Sequence, residues 1–85
     1  MSERKQVVVI PVNINAQDHE GKTPLHWAAL NGHVKVVRCL VKECGANPYV
    51  RDYYGKSALD YASENGHLEV VKCLTKECGV QLNPT

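Results

Sequence analysis

The apolar positions of this 85-residue chain fall in short runs with a helical period, separated by polar turn residues. Leu25, Ala28 and Ala29 stand at i, i+3 and i+4, one face of a short helix. Val36, Val37, Leu40 and Val41 form a second stripe, and Val70, Val71 and Leu74 a third. Thr23 and Pro24 suit the cap and first turn of the first helix, and Ser57-Ala58 takes the same place later in the chain. Asn31-Gly32 and Asn65-Gly66 break the pattern with residues that tolerate the left-handed conformation ending a helix. Gly45 and Gly79 end the next helices, and Asn47-Pro48 forces an extended turn. The N-terminal stretch differs. Val7, Val8, Val9 and Ile10 are all β-branched, which favours a strand. Val12-Asn13-Ile14-Asn15 then alternates, and Pro11 between the two stretches suggests an edge or a bulge.

The pattern is used twice. Shifted by 34 residues, Asp18–Gly45 falls on Asp52–Gly79 with 16 of 28 positions identical. Each unit opens with Asp and Gly-Lys, passes through Asn-Gly-His, and carries Val-Val-x-Cys-Leu before closing at Lys-Glu-Cys-Gly. A fixed period in the thirties means one helix–turn–helix unit repeated. No such unit covers its own apolar face, so the units stack and the core runs between them.

Thr23-Pro24-Leu25-His26-Trp27-Ala28-Ala29, followed by Gly32-His33 and a Leu-containing helix ending at Gly45-Ala46, resembles the ankyrin repeat. In the second unit Ser57-Ala58-Leu59-Asp60-Tyr61-Ala62-Ser63 keeps the spacing and loses the Pro and the His. The resemblance implies a mainly α fold, an ankyrin-type solenoid of stacked helix–turn–helix repeats with protruding loops. An N-terminal extended strand, which the resemblance does not explain, precedes it. The expected division is an arm over 1–10 and a repeat domain over 11–85. That domain holds a partial repeat (11–17), repeat one (18–51) and repeat two (52–85). The family period is about 33 residues. One extra residue stands before Gly45 and before Gly79, where it is expected to alter the junction of helix and loop and leave the stacking intact.

Charge narrows the function. Ten basic and nine acidic residues are interspersed for a net +1, which gives no reason to expect nucleic acid or an anionic membrane as a partner. No run approaches the ~18 apolar residues of a membrane span, and Val7–Ile10 is too short for a signal-peptide core.

Candidate chemistry is sparse. Four cysteines invite a metal or redox site. Cys39 and Cys44, five apart, would diverge by about 140° on an α-helix. Cys39 and Cys73 hold equivalent positions in stacked units, and helices ~8–10 Å apart put them beyond disulfide reach. Four free thiols, no metal and no cofactor are expected, in a reducing compartment, cytoplasmic or nuclear. Asp60, Ser63 and His67 have the spacing of a triad, but Gly66 ends the helix between them and nothing supplies a cleft or oxyanion donors, so no enzyme is expected. Trp27 and Tyr61 share one position on the first helices, either packing between them or facing solvent. Tyr53 and Tyr54 sit before Gly55 on a turn tip, either packing on the adjacent loop or meeting a partner.

The family resemblance implies His26 hydrogen-bonded within its own turn and His33 and His67 bridging neighbouring units. It also implies a non-enzymatic module that binds a protein or peptide with loop tips and the exposed side of the first helices. Carried over by position, that surface is Gln17, His19, Glu20, Lys22, Leu30 and Asn31 in unit one. In unit two it is Arg51, Tyr53, Tyr54, Lys56, Glu64 and Asn65. A self-associating or engineered fragment without a natural ligand is the alternative, since about three repeats are usually needed for stability. The arm bears on that alternative. Val7, Val8, Val9 and Ile10 have no matching strand downstream. They are expected either to cap the stack or, preferentially, to pair with the same strand of a second chain as a homodimer.

Overall fold

The structure, a computed structural model, describes residues 13–81. The expected strand over Val7–Ile10, and the pairing proposed for it, lie outside the described residues. Among the described residues four helices follow in order: α1 (Pro24–Leu30), α2 (Val34–Lys42), α3 (Ala58–Glu64) and α4 (Leu68–Lys72), the last running on as a π-helical turn over Cys73–Glu77.

Local chemistry sets the bounds of α1 and α3. Thr23 Oγ1 accepts the His26 N–H, and His26 Nδ1 accepts the Thr23 N–H at 3.0 Å, a reciprocal cap. Ser57 and Asp60 make the same pair of bonds at the start of α3. Both helices stop in one way. The N–H of Gly32 donates to Ala29 and that of His33 to Ala28, while Gly66 donates to Ser63 and His67 to Ala62. This is the double closure of a Schellman end, which needs a left-handed residue, and Gly32 and Gly66 supply it at φ +76° and +72°.

The residue beyond the family period is absorbed at the end of the second helices. There Cys44 N–H reaches the Cys39 carbonyl at 3.1 Å, and Cys78 N–H reaches Cys73 at 2.9 Å. These i→i+5 bonds take up one residue more per turn than an α-helix does. The stacking is untouched, because the bulge lies where each helix runs into its loop.

The core runs between the units. Leu25, Ala28 and Ala29 of α1 pack with Ala58, Leu59 and Ala62 of α3, and the small side chains let the two backbones approach. Val37, Val70, Cys73 and Leu74 fill the layer of second helices. Two expectations change here. Val36 is 48% exposed, whereas Val70 at the same position of unit two is buried, because unit one packs on the upstream side of α4 and no described helix stands upstream of α2. Leu74 is fully buried, whereas Leu40 is only half-buried. Unit one covers the upstream side of Leu74; no described helix stands upstream of Leu40.

Candidate partner-binding face

Each loop tip is built on an aspartate. Asp18 Oδ1 accepts the N–H groups of Glu20 and Lys22 at 2.9 and 2.8 Å, and Asp52 Oδ1 does the same for Tyr54 and Lys56 at 3.0 and 2.9 Å. The second oxygen of each carboxylate holds the aromatic of its own first helix. Trp27 Nε1 donates to Asp18 Oδ2 at 2.9 Å, and the Tyr61 hydroxyl donates to Asp52 Oδ2. One side chain thus fixes both the turn and the ring nine residues on. Backbone N–H donors, Lys22's first, hold the Asp18 carboxyl below its ordinary range. Burial pushes Asp52 up, but the Tyr61 hydroxyl, the N–H groups of Lys56 and Tyr54, and Lys22 outweigh it and hold the carboxyl at about 2. Burial, then Asp52, pushes the Tyr61 hydroxyl above its usual range.

Lys22 is the hub, and here the sequence reading needs correction. Expected on the partner face, its side chain is 7% exposed. Its ammonium lies 3.0 Å from Glu20 and 3.5 Å from Asp52. The rings of Trp27, Tyr54 and Tyr61 surround it at 5.6, 5.0 and 5.2 Å. Glu20 holds its pKa well above the usual lysine range. The aliphatic stem is covered and the charge is internally matched, so Lys22 organises the face and does not reach out from it.

The other expected residues divide between joints and surface. Gln17 Nε2 donates to the carbonyls of Gly21 and Arg51, tying the two loops. Arg51 bonds the Gly55 carbonyl, and Lys56 pairs with Glu64, which raises the lysine's pKa. Asn31 caps back to Trp27, and Asn65 reaches the Leu30 carbonyl at 3.4 Å. Leu30 is half-buried. His19 is exposed and Glu20 half-exposed.

The aromatic rings resolve the open alternatives as a mixture. Tyr53 and Tyr54 are 69% and 65% exposed. Even so, the Tyr53 N–H bonds the Glu20 carbonyl at 3.0 Å, and its ring lies against Gly21. Trp27 is 42% exposed, whereas Tyr61 is half-buried, edge-on to His26 at 6.0 Å. Trp27, Tyr54 and Tyr53 therefore form a ledge pinned from below and open above. Beside Trp27, a shallow recess of about 270 Å³ is lined by Gln17, Asp18, Lys22 and Pro24.

The histidines bind the units together. His26 Nδ1 accepts, so Nε2 carries the proton and donates to the Lys56 carbonyl at 2.9 Å. His67 Nε2 meets the Leu30 carbonyl at 2.9 Å. His33, the counterpart of His67, is exposed. The sequence reading missed the dual role of Asp18 and Asp52. Its signal was present: an Asp before Gly-Lys in both units, with a hydrogen-bonding aromatic nine positions on.

A sequence profile described as ankyrin repeats (3 copies) matches residues 4–85. The chain belongs to the ankyrin-repeat family. The profile reaches back over residues 4–10, which the sequence reading separated as an arm.

Among curated relatives, the mitochondrial liver isoform of glutaminase from Rattus norvegicus is 39% identical over 51 residues, 60% of this chain and 8% of that protein. Acyl-CoA-binding domain-containing protein 1 of Arabidopsis thaliana is 53% identical over 30 residues, 35% of this chain and 9% of that protein. The chain thus spans less than a tenth of either relative. Among solved structures, a chain in the complex of the yeast ribosomal protein Rps3 with its chaperone Yar1 superposes with a TM-score of 0.77 at 35% identity. The match covers 84% of this chain and 47% of that one. A chain in the complex of the Bd0816 predatory endopeptidase from Bdellovibrio bacteriovorus with immunity protein Bd3460 gives 0.78 at 30% identity. It covers 85% of this chain and 36% of that one. Ankyrin repeats are protein–protein interaction modules, and both of these ankyrin-type neighbours come from complexes of two proteins.

Proposed function

We propose that this chain binds a protein or peptide through its loop tips and first-helix surface and performs no chemistry of its own. The contact residues of this reading are Trp27, Tyr53 and Tyr54 at the centre, with His19, Glu20, Asn31, Glu64 and Asn65 around them. The supporting observation is the aromatic ledge, three large rings held by hydrogen bonds or packing yet 42–69% exposed. Rings fixed in advance lose little entropy on binding, and aromatics at the centre of a polar rim are the common hot-spot pattern. The rim offers two carboxylates, two amides and an imidazole, which suits a mixed polar and apolar epitope. A capture experiment comparing the parent with a Tyr53→Ala/Tyr54→Ala variant tests this. Proteins retained by the parent are expected to be lost from the variant while its helical circular dichroism is kept. An unchanged set of captured proteins would refute the ledge as the binding surface.

One observation favours self-association as a second reading. Leu68 is 67% exposed, whereas Val34, its counterpart in unit one, packs against the core. A second copy covering Leu68 would make the mass in solution rise with concentration.

A further inference from the structure

The helix ends carry cysteines in a geometry that the sequence alone misreads. On an α-helix, Cys39 and Cys44 diverge by about 140°. Here the Cys39 carbonyl accepts the N–H groups of both Glu43, at 2.9 Å, and Cys44, at 3.1 Å, so the last turn opens from the α toward the π spacing and residue i+5 swings back toward the face of residue i. This opening brings the two cysteines nearer one another than an α-helical turn would, and both are exposed. Unit two has the same turn, but Cys73 is fully buried in the core and Cys78 half-buried. The structure thus holds two dithiols of one local design, only one of them open to solvent.

We propose that Cys39 and Cys44 form a two-thiolate binding site for a soft d10 metal ion of the copper(I) class. Soft thiolates select such ions, and copper(I) is satisfied by two of them. Among the described residues, no group of three or more His, Cys, Asp or Glu is placed to hold a metal. That set disfavours zinc, which takes four ligands in closed sites and three protein ligands in open ones. A direct disulfide fits less well. It needs Cβ atoms about 3.8 Å apart, whereas side chains one turn apart on a helix stand about 5–6 Å apart at Cβ. A bridging ion spans that gap. The neighbouring Cys44 thiol holds the Cys39 thiol above its ordinary range, as expected of two sulfurs within reach of each other. The reaction is an exchange without redox change. Each sulfur gives up one proton and bonds the ion, so one copper(I) and two thiols yield one bis-thiolate anion and two protons. Affinity therefore rises with pH.

The test uses the full chain under anaerobic conditions, with copper(I) supplied from a chromophoric chelator that competes for it. One ion per chain is expected, with release of two protons. Cys39→Ser and Cys44→Ser, both at exposed positions, should each lower the affinity at least about 100-fold, as loss of a ligand exceeds the 10–100-fold of an outer-shell change. A second measurement needs no variant. Bound copper(I) should shield Cys39 and Cys44 of the parent from alkylation and leave Cys78 reactive. Three results would overturn the proposal: failure of the chain to draw copper(I) from the chelator, retention of the ion by a Cys39→Ser/Cys44→Ser variant, or shielding of Cys78 in place of the exposed pair.

Discussion

The imidazole of His67 fills the space in front of Gly32. A Cβ built on Gly32 would lie 2.8 Å from Nδ1 of that ring, while the ring's Nε2 meets the Leu30 carbonyl at 2.9 Å. The turn of one unit is therefore both a helix end and the seat of its neighbour's histidine. Gly66 holds the same backbone conformation, φ +72°, with nothing within 4 Å of its Cβ position. The two glycines separate two costs. Gly66→Ala should lose only the left-handed penalty of about 1–2 kcal/mol. Gly32→Ala should lose that and the His67 contact as well. Urea unfolding of the two variants checks the order; equal midpoints would show that the histidine seat contributes nothing.

Leu74 and Leu40 hold one position in the repeat and differ in burial. Leu74→Ala should cost about 2–5 kcal/mol, the range for a leucine lost from a closed core. Leu40→Ala should cost distinctly less, because solvent already reaches its side chain. Thermal unfolding read by circular dichroism decides this, and a larger loss at Leu40 would contradict the stacking order.

Acid should weaken the domain through Asp52. Its carboxyl sits at about 2 in the folded chain, below the ordinary 3.8. A group lowered on folding stabilises fully above its unfolded pKa and loses that contribution as pH falls through the folded one. The window is therefore pH 4 to 2. The difference is worth about 2 kcal/mol, at 1.36 kcal/mol per pKa unit. Asp52→Asn should be less stable than the parent at pH 7, and the gap should narrow toward pH 2. A gap that is constant with pH would remove the ionised carboxylate from the account.

Thiol reactivity should follow burial and not spacing. In the native chain Cys39 and Cys44 should react with a thiol reagent first, Cys78 more slowly, and Cys73 only on unfolding, for a total of four. Fast labelling of Cys73 would mean that the second-helix layer opens readily.

Much of this fold was legible because it is local. Thr23, Pro24 and Leu25 set the start of α1, Asn31-Gly32 its end, and the 34-residue period the number of units. What stayed hidden depends on neighbours in space. Lys22 reads as a loop-tip charge, and only the approach of Asp52, Tyr54 and Tyr61 from the next unit turns it into a buried hub. Val36 reads as core because adjacent valines cannot be ranked without knowing where the next helix lies. Cys39 and Cys44 read as divergent on an α-helical turn, and the additional i→i+5 bond at the helix end brings them nearer one another.

The histidine joint gives the chain a direction. Unit one offers a donor forward, from His26 to the Lys56 carbonyl, and unit two grips backward through His67. At the place of His26, unit two has Asp60, which keeps the cap on Ser57 but carries no second ring nitrogen to reach the next seam. Tandem copies of unit one would carry a clasp at every seam, like links of a chain. Tandem copies of unit two would have no imidazole reaching forward at any seam. The two units, alike at 16 of 28 positions, are therefore not interchangeable parts: reversing their order would leave the one seam between them without its forward clasp.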